Sequence, residues 1–395
     1  MLINDKRALA YTAKIAWVKP IEGADNIELV GVNCWTCIAK KDEFKTGDTC
    51  VYFEIDSKLP VAEWSAFMES KHYKVKTMKL GKFKVISQGL ALPASAFNGI
   101  EIPTEENVDM TDKLSVTYSV EEDNKRKSNS EDKYKKMAAR RPKIFRTPVA
   151  KWFMKREWGR KFMFILFGKK KDKRGSWPQW VKKTDEERCQ NMPFLFTNPN
   201  RESETWYATE KIDGTSTTFT MKRKAFSKPE FYVCSRNVVF DKPDKKCFYD
   251  TNVYLEMAEK YNIEQVLQNF LDENHDLNYV TIQGETYGGN IQKRDYSTSS
   301  HYFAAFNLIF GFKDGFIKRF NPVEMGVLLE TEGIPCVPVI STKFVLPATC
   351  EELLNMATGD SCIDGKAREG IVFRSEDGVR SFKAVSNEFL MKYHQ

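Results

Sequence analysis

The pattern of apolar and polar positions changes twice along the 395 residues. Between residues 8 and 60, short runs alternate apolar and polar side chains: "ALAYTAKIAWV", "IELVGVNCWTCIA" and "TCVYFEI". A period of two marks strands with one buried face. The stretches between them, "KPIEGADN" and "KKDEFKTGD", carry turn residues. Closely spaced strands with no long helix between them predict a small β-barrel. A further batch at 76–93, "KTMKLGKFKVISQGLALP", completes it. Residues 121–132, "EEDNKRKSNSED", are almost devoid of apolar side chains and predict a mobile boundary. From Thr184 onward the texture is mixed. "NVYLEMAEKYNIEQVLQNFLDE" at 252–273 has helical spacing, whereas "YVTIQGETYGG", "YFAAFNLIFGF" and "EGIVFRS" read as strands. There is no internal repeat. The expected layout is a barrel module at 1–120, a charged basic linker at 121–183 and an α+β domain at 184–395.

Length supports this division, because a chain of this size exceeds one comfortable core. The longest purely apolar run is "FMFILF" at 162–167, far below the roughly 20 residues of a spanning helix, so no membrane partner is expected. No secretory signal opens the sequence. Nine scattered cysteines then read as free thiols in a reducing, intracellular compartment. The pair in Cys34-Trp-Thr-Cys37 lacks a second ligand pair for zinc and a strand-to-helix context for redox work, and is expected to pack. The net charge of +7 hides an asymmetry. Residues 125–183 hold 22 Lys or Arg against 4 Asp or Glu, an excess of +18 that leaves −11 on the rest. Trp152, Phe153, Trp158, Phe162, Trp177 and Trp180 are interleaved with these cations. Such a block suits single-stranded nucleic acid, by stacking and phosphate pairing. It equally suits a basic amphipathic helix whose aromatics pack on a neighbour.

Candidate chemistry centres on "TEKIDGTSTTF" at 209–219, where Lys211 stands between Glu210 and Asp213 with a glycine after the aspartate. Four further segments follow in order: Ser235-Arg236-Asn237, Gly284-Glu285, Glu369-Gly370-Ile371-Val372, and Lys383. The set resembles the covalent nucleotidyltransferase superfamily of polynucleotide ligases and mRNA capping enzymes. A lysine that attacks a nucleotide α-phosphorus must be deprotonated, so nearby cations and desolvation are needed to lower its pKa. Carboxylates are needed to hold a divalent cation, which takes oxygen ligands and keeps several waters.

The opening "AKIAWVKPIEGADNIELVGV" resembles OB-fold modules of nucleic-acid-binding proteins, and "KKTDEERCQN" at 182–191 resembles a signature of RNA ligases whose OB module precedes the catalytic domain (the family 5 type). The resemblance implies an OB-type barrel followed by a mixed α/β, ATP-grasp-like nucleotidyltransferase domain of antiparallel sheets. It implies an ATP-dependent RNA ligase that uses Mg2+ or Mn2+, with RNA and ATP as partners and a monomer as the working form. By the same resemblance Lys211 is the adenylated nucleophile and Lys383 contacts the α-phosphate. Asp213, Glu285 and Glu369 hold the metal, Phe306 stacks on adenine, and Arg236 contacts ribose and phosphates. Glu210 flanks the base chiefly by its backbone, while Arg188 and Gln190 touch the nucleotide or the RNA end. Ser381 stands where many ligases have a second lysine. Two alternatives remain: a GTP-using capping-type guanylyltransferase, and a catalytically idle OB-type RNA-binding protein.

Overall fold

The structure is a computed structural model that describes residues 1–3, 6–119, 177–240, 251–294 and 296–393, with parts of 142–163. The expected boundary at 121–132 and most of the basic block lie outside the described residues. The N-terminal sheet runs in the order Leu90–Pro93, Thr49–Phe53, Ala10–Pro20, Ile27–Val32, Trp35–Lys40. Ala10–Pro20 is long enough to pair on both sides, and a bulge between Ile15 and Trp17 bends it. The sheet curls into a half-barrel, and the Gln88 N–H donates to Thr36 O across the gap (2.8 Å). Tyr11, Ala13 and Ile15 point into the barrel core with Val30, Trp35 and Tyr52, while Leu9 and Ala10 join a second core beneath it.

The C-terminal domain has two sheets. The larger is antiparallel, in the order Val239–Phe240, Ser227–Ser235, Thr215–Lys224, Leu277–Gly288, His301–Phe312, Ile317–Arg319. Helices Val253–Lys260 and Ile263–Glu273 bury their apolar stripes against it, around Met257, Leu267 and Phe303. The helical stretch expected at 252–273 is thus two helices, broken where Asn262 takes a left-handed φ of 47°. The smaller sheet is ordered Glu187–Arg188, Ser381–Val385, Gly370–Arg374, Thr205–Lys211, Val339–Val345, with only the first pair parallel.

Residues 177–183, expected in the linker, pack on the larger sheet. Trp180 Nε1 donates to Thr220 Oγ1 (3.2 Å), and Gln283 Nε2 donates to Lys182 O (2.8 Å). Trp180 is therefore a packing residue, whereas Trp152 and Trp158 stay exposed, stacked edge-on against each other. The barrel docks on the C-terminal domain through Ile86, which packs with Val385 and Leu390, and through Lys79 Nζ, which donates to Met391 O (3.0 Å). A disulfide joins Cys34 to Cys350 across the same junction, which corrects the expectation of nine free thiols. Cys37 is buried in the barrel core, as a packing residue should be.

Candidate active site

Two sheet ends meet at Lys211. It closes the strand Thr205–Lys211 opposite Gly370, so Glu369 stands one residue beyond the pairing. The chain then crosses to the larger sheet through Asp213 and Gly214, and Ser216 pairs with Glu285 there. Gly214 is required by close approach rather than by a left-handed turn. A Cβ at this position would lie 2.3 Å from Thr286 O. The Asp213 N–H donates to Tyr296 Oη (2.7 Å), which fixes the crossing.

Lys211 Nζ donates to Glu369 Oε2 at 2.7 Å. Burial alone would lower the lysine pKa, but Glu369, Glu285 and Asp213 outweigh it and hold the ammonium at about 12. The carboxylates pay in the opposite sense. Burial, then Glu369, pushes Asp213 up to about 7. Burial raises Glu285 to about 8 despite Lys211, with Glu369 and Asp213 adding to the rise. Lys383 is lowered, by burial first and then by Lys211 and Arg188. The site holds more negative charge than its lysine can offset.

That excess fits a divalent cation, since all three donors are oxygen and desolvated carboxylates gain most from a positive partner. Among the described residues no such side chains close into a ready-made cage. This suits an ion that keeps most of its waters.

Lys211 opens into a cleft of about 320 Å³, also lined by Arg236, Phe306, Glu210 and Lys383. Phe306 packs with Ile212 and Val337 and keeps a face on the cleft. The exposed Arg236 pairs with Asp185 (2.6 Å). Glu210 is buried, and its carboxylate is occupied by the Ser361 hydroxyl and the Cys362 N–H (2.7 Å). Its backbone N–H is engaged as well, donating to Pro338 O (2.9 Å). Arg188 pairs in register with Lys383 and lines a polar pocket between the barrel and the cleft, with one buried guanidinium nitrogen unpartnered among the described residues. Gln190 is not in the cleft. It is buried beside Cys189 and lines a separate interdomain cavity.

Sequence reasoning missed Arg374. It is buried in the cleft wall, where it donates to Asn307 Oδ1 (3.1 Å), Thr209 Oγ1 (3.3 Å) and Glu186 Oε1 (3.1 Å). Strand alternation carried the signal. Gly370, Val372 and Arg374 share one face, and Val372 and Arg374 both line the cleft.

Comparison with known proteins agrees with this geometry. Residues 204–394 match the RNA ligase family, and residues 9–94 match an OB-fold domain. Solved structures of a Naegleria gruberi RNA ligase are similar over nearly the whole chain. A mutant form with ATP and Mn is 25% identical, with a TM-score of 0.66 and coverage of 98% of this chain and 99% of that one. A second mutant form, with AMP and Mn, is 26% identical, with a TM-score of 0.66 and coverage of 98% and 100%. The form with pyrophosphate is 27% identical, with a TM-score of 0.64 and coverage of 98% and 99%. No curated protein matches the chain at a significant level.

Proposed function

Because residues 204–394 match the RNA ligase family and follow a match to an OB-fold domain, we infer that this protein is an ATP-dependent RNA ligase. It joins an RNA 3′-OH to a 5′-phosphate in three steps. The observation that carries the assignment is Lys211 Nζ, set at the mouth of a nucleotide-sized cleft and ringed by Glu369, Glu285 and Asp213. In the first step the amine attacks the α-phosphorus of ATP, forms a P–N bond and releases pyrophosphate. AMP then passes to the RNA 5′-phosphate, and the 3′-OH displaces it.

With a pKa of about 12, only roughly one lysine in 10⁵ is neutral at pH 7, so the resting ion pair must be dismantled before attack. Glu369, hydrogen-bonded to the ammonium, is the partner from which the amine must be released. A divalent cation held by Asp213, Glu285 and Glu369 supplies the positive charge that offsets these carboxylates and the phosphates. Lys383, kept partly desolvated, faces the α-phosphate without a second lysine, because Ser381 occupies the earlier position. Phe306 stacks on adenine, Arg236 reaches ribose and phosphate, and Arg188, in register with Lys383, acts at the nucleotide or the RNA end. The working form is a monomer, which light scattering of the ligase with and without RNA checks. Incubation with labelled ATP or GTP and a denaturing gel tests the nucleotide. Label should transfer from ATP only, and transfer from GTP would overturn the reading.

A further inference from the structure

The nine cysteines are not alike in setting. Cys37 and Cys50 lie in the barrel core, where burial pushes both thiols up, Cys50 to about 12. Cys34, Cys189 and Cys350 instead meet at the junction of the two domains. Cys34 is in the hairpin turn between the strands Ile27–Val32 and Trp35–Lys40, next to Asn33, whose φ is 51°. Cys350 is the first residue of the helix Cys350–Ala357, which Thr349 caps. Their Cα atoms are 6.1 Å apart, and the disulfide spans 316 residues of sequence. Cys189 Sγ stands 3.8 Å from Cys350 Sγ and directly follows Arg188, the residue in register with Lys383.

Both bonded cysteines are half-buried and line a cavity of about 500 Å³ between the domains. That volume takes a small peptide with ease. Gln190 lines the same cavity, is 3% exposed, and its Nε2 has no acceptor among the described residues. A buried donor without an acceptor is costly unless something that carries oxygens binds there.

We propose that Cys34 and Cys350 form a thiol–disulfide exchange site that takes a low-molecular-weight peptide thiol bearing carboxylate oxygens, of the glutathione class. Exchange at this site fastens or frees the barrel from the catalytic domain. The thiolate enters through the cavity and attacks Cys34 Sγ, since Cys189 crowds the Cys350 side. The Cys34–Cys350 bond breaks, and Cys350 leaves as a thiolate from a helix N-terminus, where free N–H groups favour it although Glu351 and Glu352 oppose. It then takes up a proton. A second thiol resolves the mixed disulfide, so two peptide thiols are oxidised to their disulfide while Cys34 and Cys350 are reduced. The reverse reaction with the oxidised peptide restores the bond. Cys189 does not replace the external thiol, because burial pushes its own thiol up to about 12 and leaves it protonated. The tether acts next to Gln190 and Arg188, so its state sets how firmly the barrel is held over the active-site entrance.

The test uses the full chain equilibrated in buffers of defined reduced to oxidised glutathione ratio. Denatured, alkylated protein is then mapped by mass. In oxidising buffer two of the nine cysteines should resist alkylation, with Cys34 and Cys350 in one cross-linked peptide. At intermediate ratios glutathione should appear on Cys34. Cys350→Ser should trap that mixed disulfide, and Cys362→Ser, which removes an exposed free thiol, should leave it unchanged. Hydrogen exchange at 33–36 and 350–357 should rise on reduction. Nine alkylated cysteines at every ratio would overturn the proposal, as would glutathione on Cys362 alone. Unchanged exchange at both segments on reduction would overturn the domain tether.

Discussion

At the residue scale, the four charges at the cleft explain each other. Lys211 is held basic by three carboxylates, while burial, with the carboxylates' mutual repulsion, keeps Asp213 and Glu285 weakly acidic. Lys211→Ala should abolish label transfer from ATP while leaving weak sealing of RNA that is already 5′-adenylated. Covalent labelling in that variant would falsify the nucleophile assignment. Glu369→Gln and Glu285→Gln should each slow lysine adenylation by roughly 10²–10³-fold, the scale of losing one electrostatic partner of a transition state. Glu285→Gln also removes a buried carboxyl that folding makes costly to ionise, so the melting temperature of the metal-free protein should hold near neutral pH and rise above about pH 8. A cooperative drop instead would make Glu285 a folding residue.

The same charges set a pH dependence. Asp213 moves from 3.8 to about 7 and Glu285 from 4.5 to about 8 on folding, so the folded chain binds more protons than the unfolded one across that window. Their contribution therefore favours the fold at low pH and is lost as pH rises through about 7 to 8. A divalent cation binds the ionised forms. The gain in melting temperature on adding Mn2+ should thus grow from about pH 6 to about pH 8.5. A gain that is flat or shrinks over this range would detach these two carboxylates from the metal.

At the element scale, the active site depends on how closely two strands approach. A Cβ on Gly370 would lie 2.1 Å from Ala384 O, on the strand that carries Lys383. Gly370→Ala must therefore spread the pair that sets Glu369 against Lys383. Overpacking of this kind costs about 1–3 kcal/mol, and here adenylation should fall with stability. Gly326→Ala, inside the helix Pro322–Glu330 and with only Glu330 Oε1 at 3.8 Å, should be silent or slightly stabilising. Equal behaviour of the two variants in thermal melts and adenylation would contradict the packing account.

These elements also show what could be read in the sequence. Lys211, Glu285, Glu369 and Lys383 sit on or beside strands whose period-two pattern is local, so pattern and motif order together located them. The neighbours of Gln190 in sequence put it at the nucleotide or the RNA end, but the short turn at 189–191 carries it into the interdomain cavity. The Arg374–Glu186 pair and the Cys34–Cys350 bond join segments 188 and 316 residues apart. No local period encodes either; only the docking of sheets and domains brings them together.

At the scale of the whole molecule, the barrel and the catalytic domain share a polar pocket. Arg7, Glu54 and Asp56 of the barrel face Arg188, Arg236 and Lys383 across a space of about 270 Å³. Arg7 is tied down by Glu54 (2.9 Å), and the Arg188 guanidinium lies 5.9 Å above the Trp35 ring. The parts that attack ATP all belong to the catalytic domain, whereas the barrel and the +18 segment supply the features suited to a long polyanion. Removing residues 1–125 should therefore lower adenylation, because Arg188 loses its support, and lower nick sealing further, because the RNA grip goes with the barrel. RNA affinity of the intact protein should fall steeply with salt, with a slope of about −0.7 per phosphate neutralised on single strands, and the truncated protein should show a shallower slope. Adenylation, sealing and salt slope measured side by side separate the possibilities. Equal losses in adenylation and sealing would mean that the barrel serves the nucleotide step alone. Normal sealing with an unchanged slope would leave RNA binding to the catalytic domain and the basic segment.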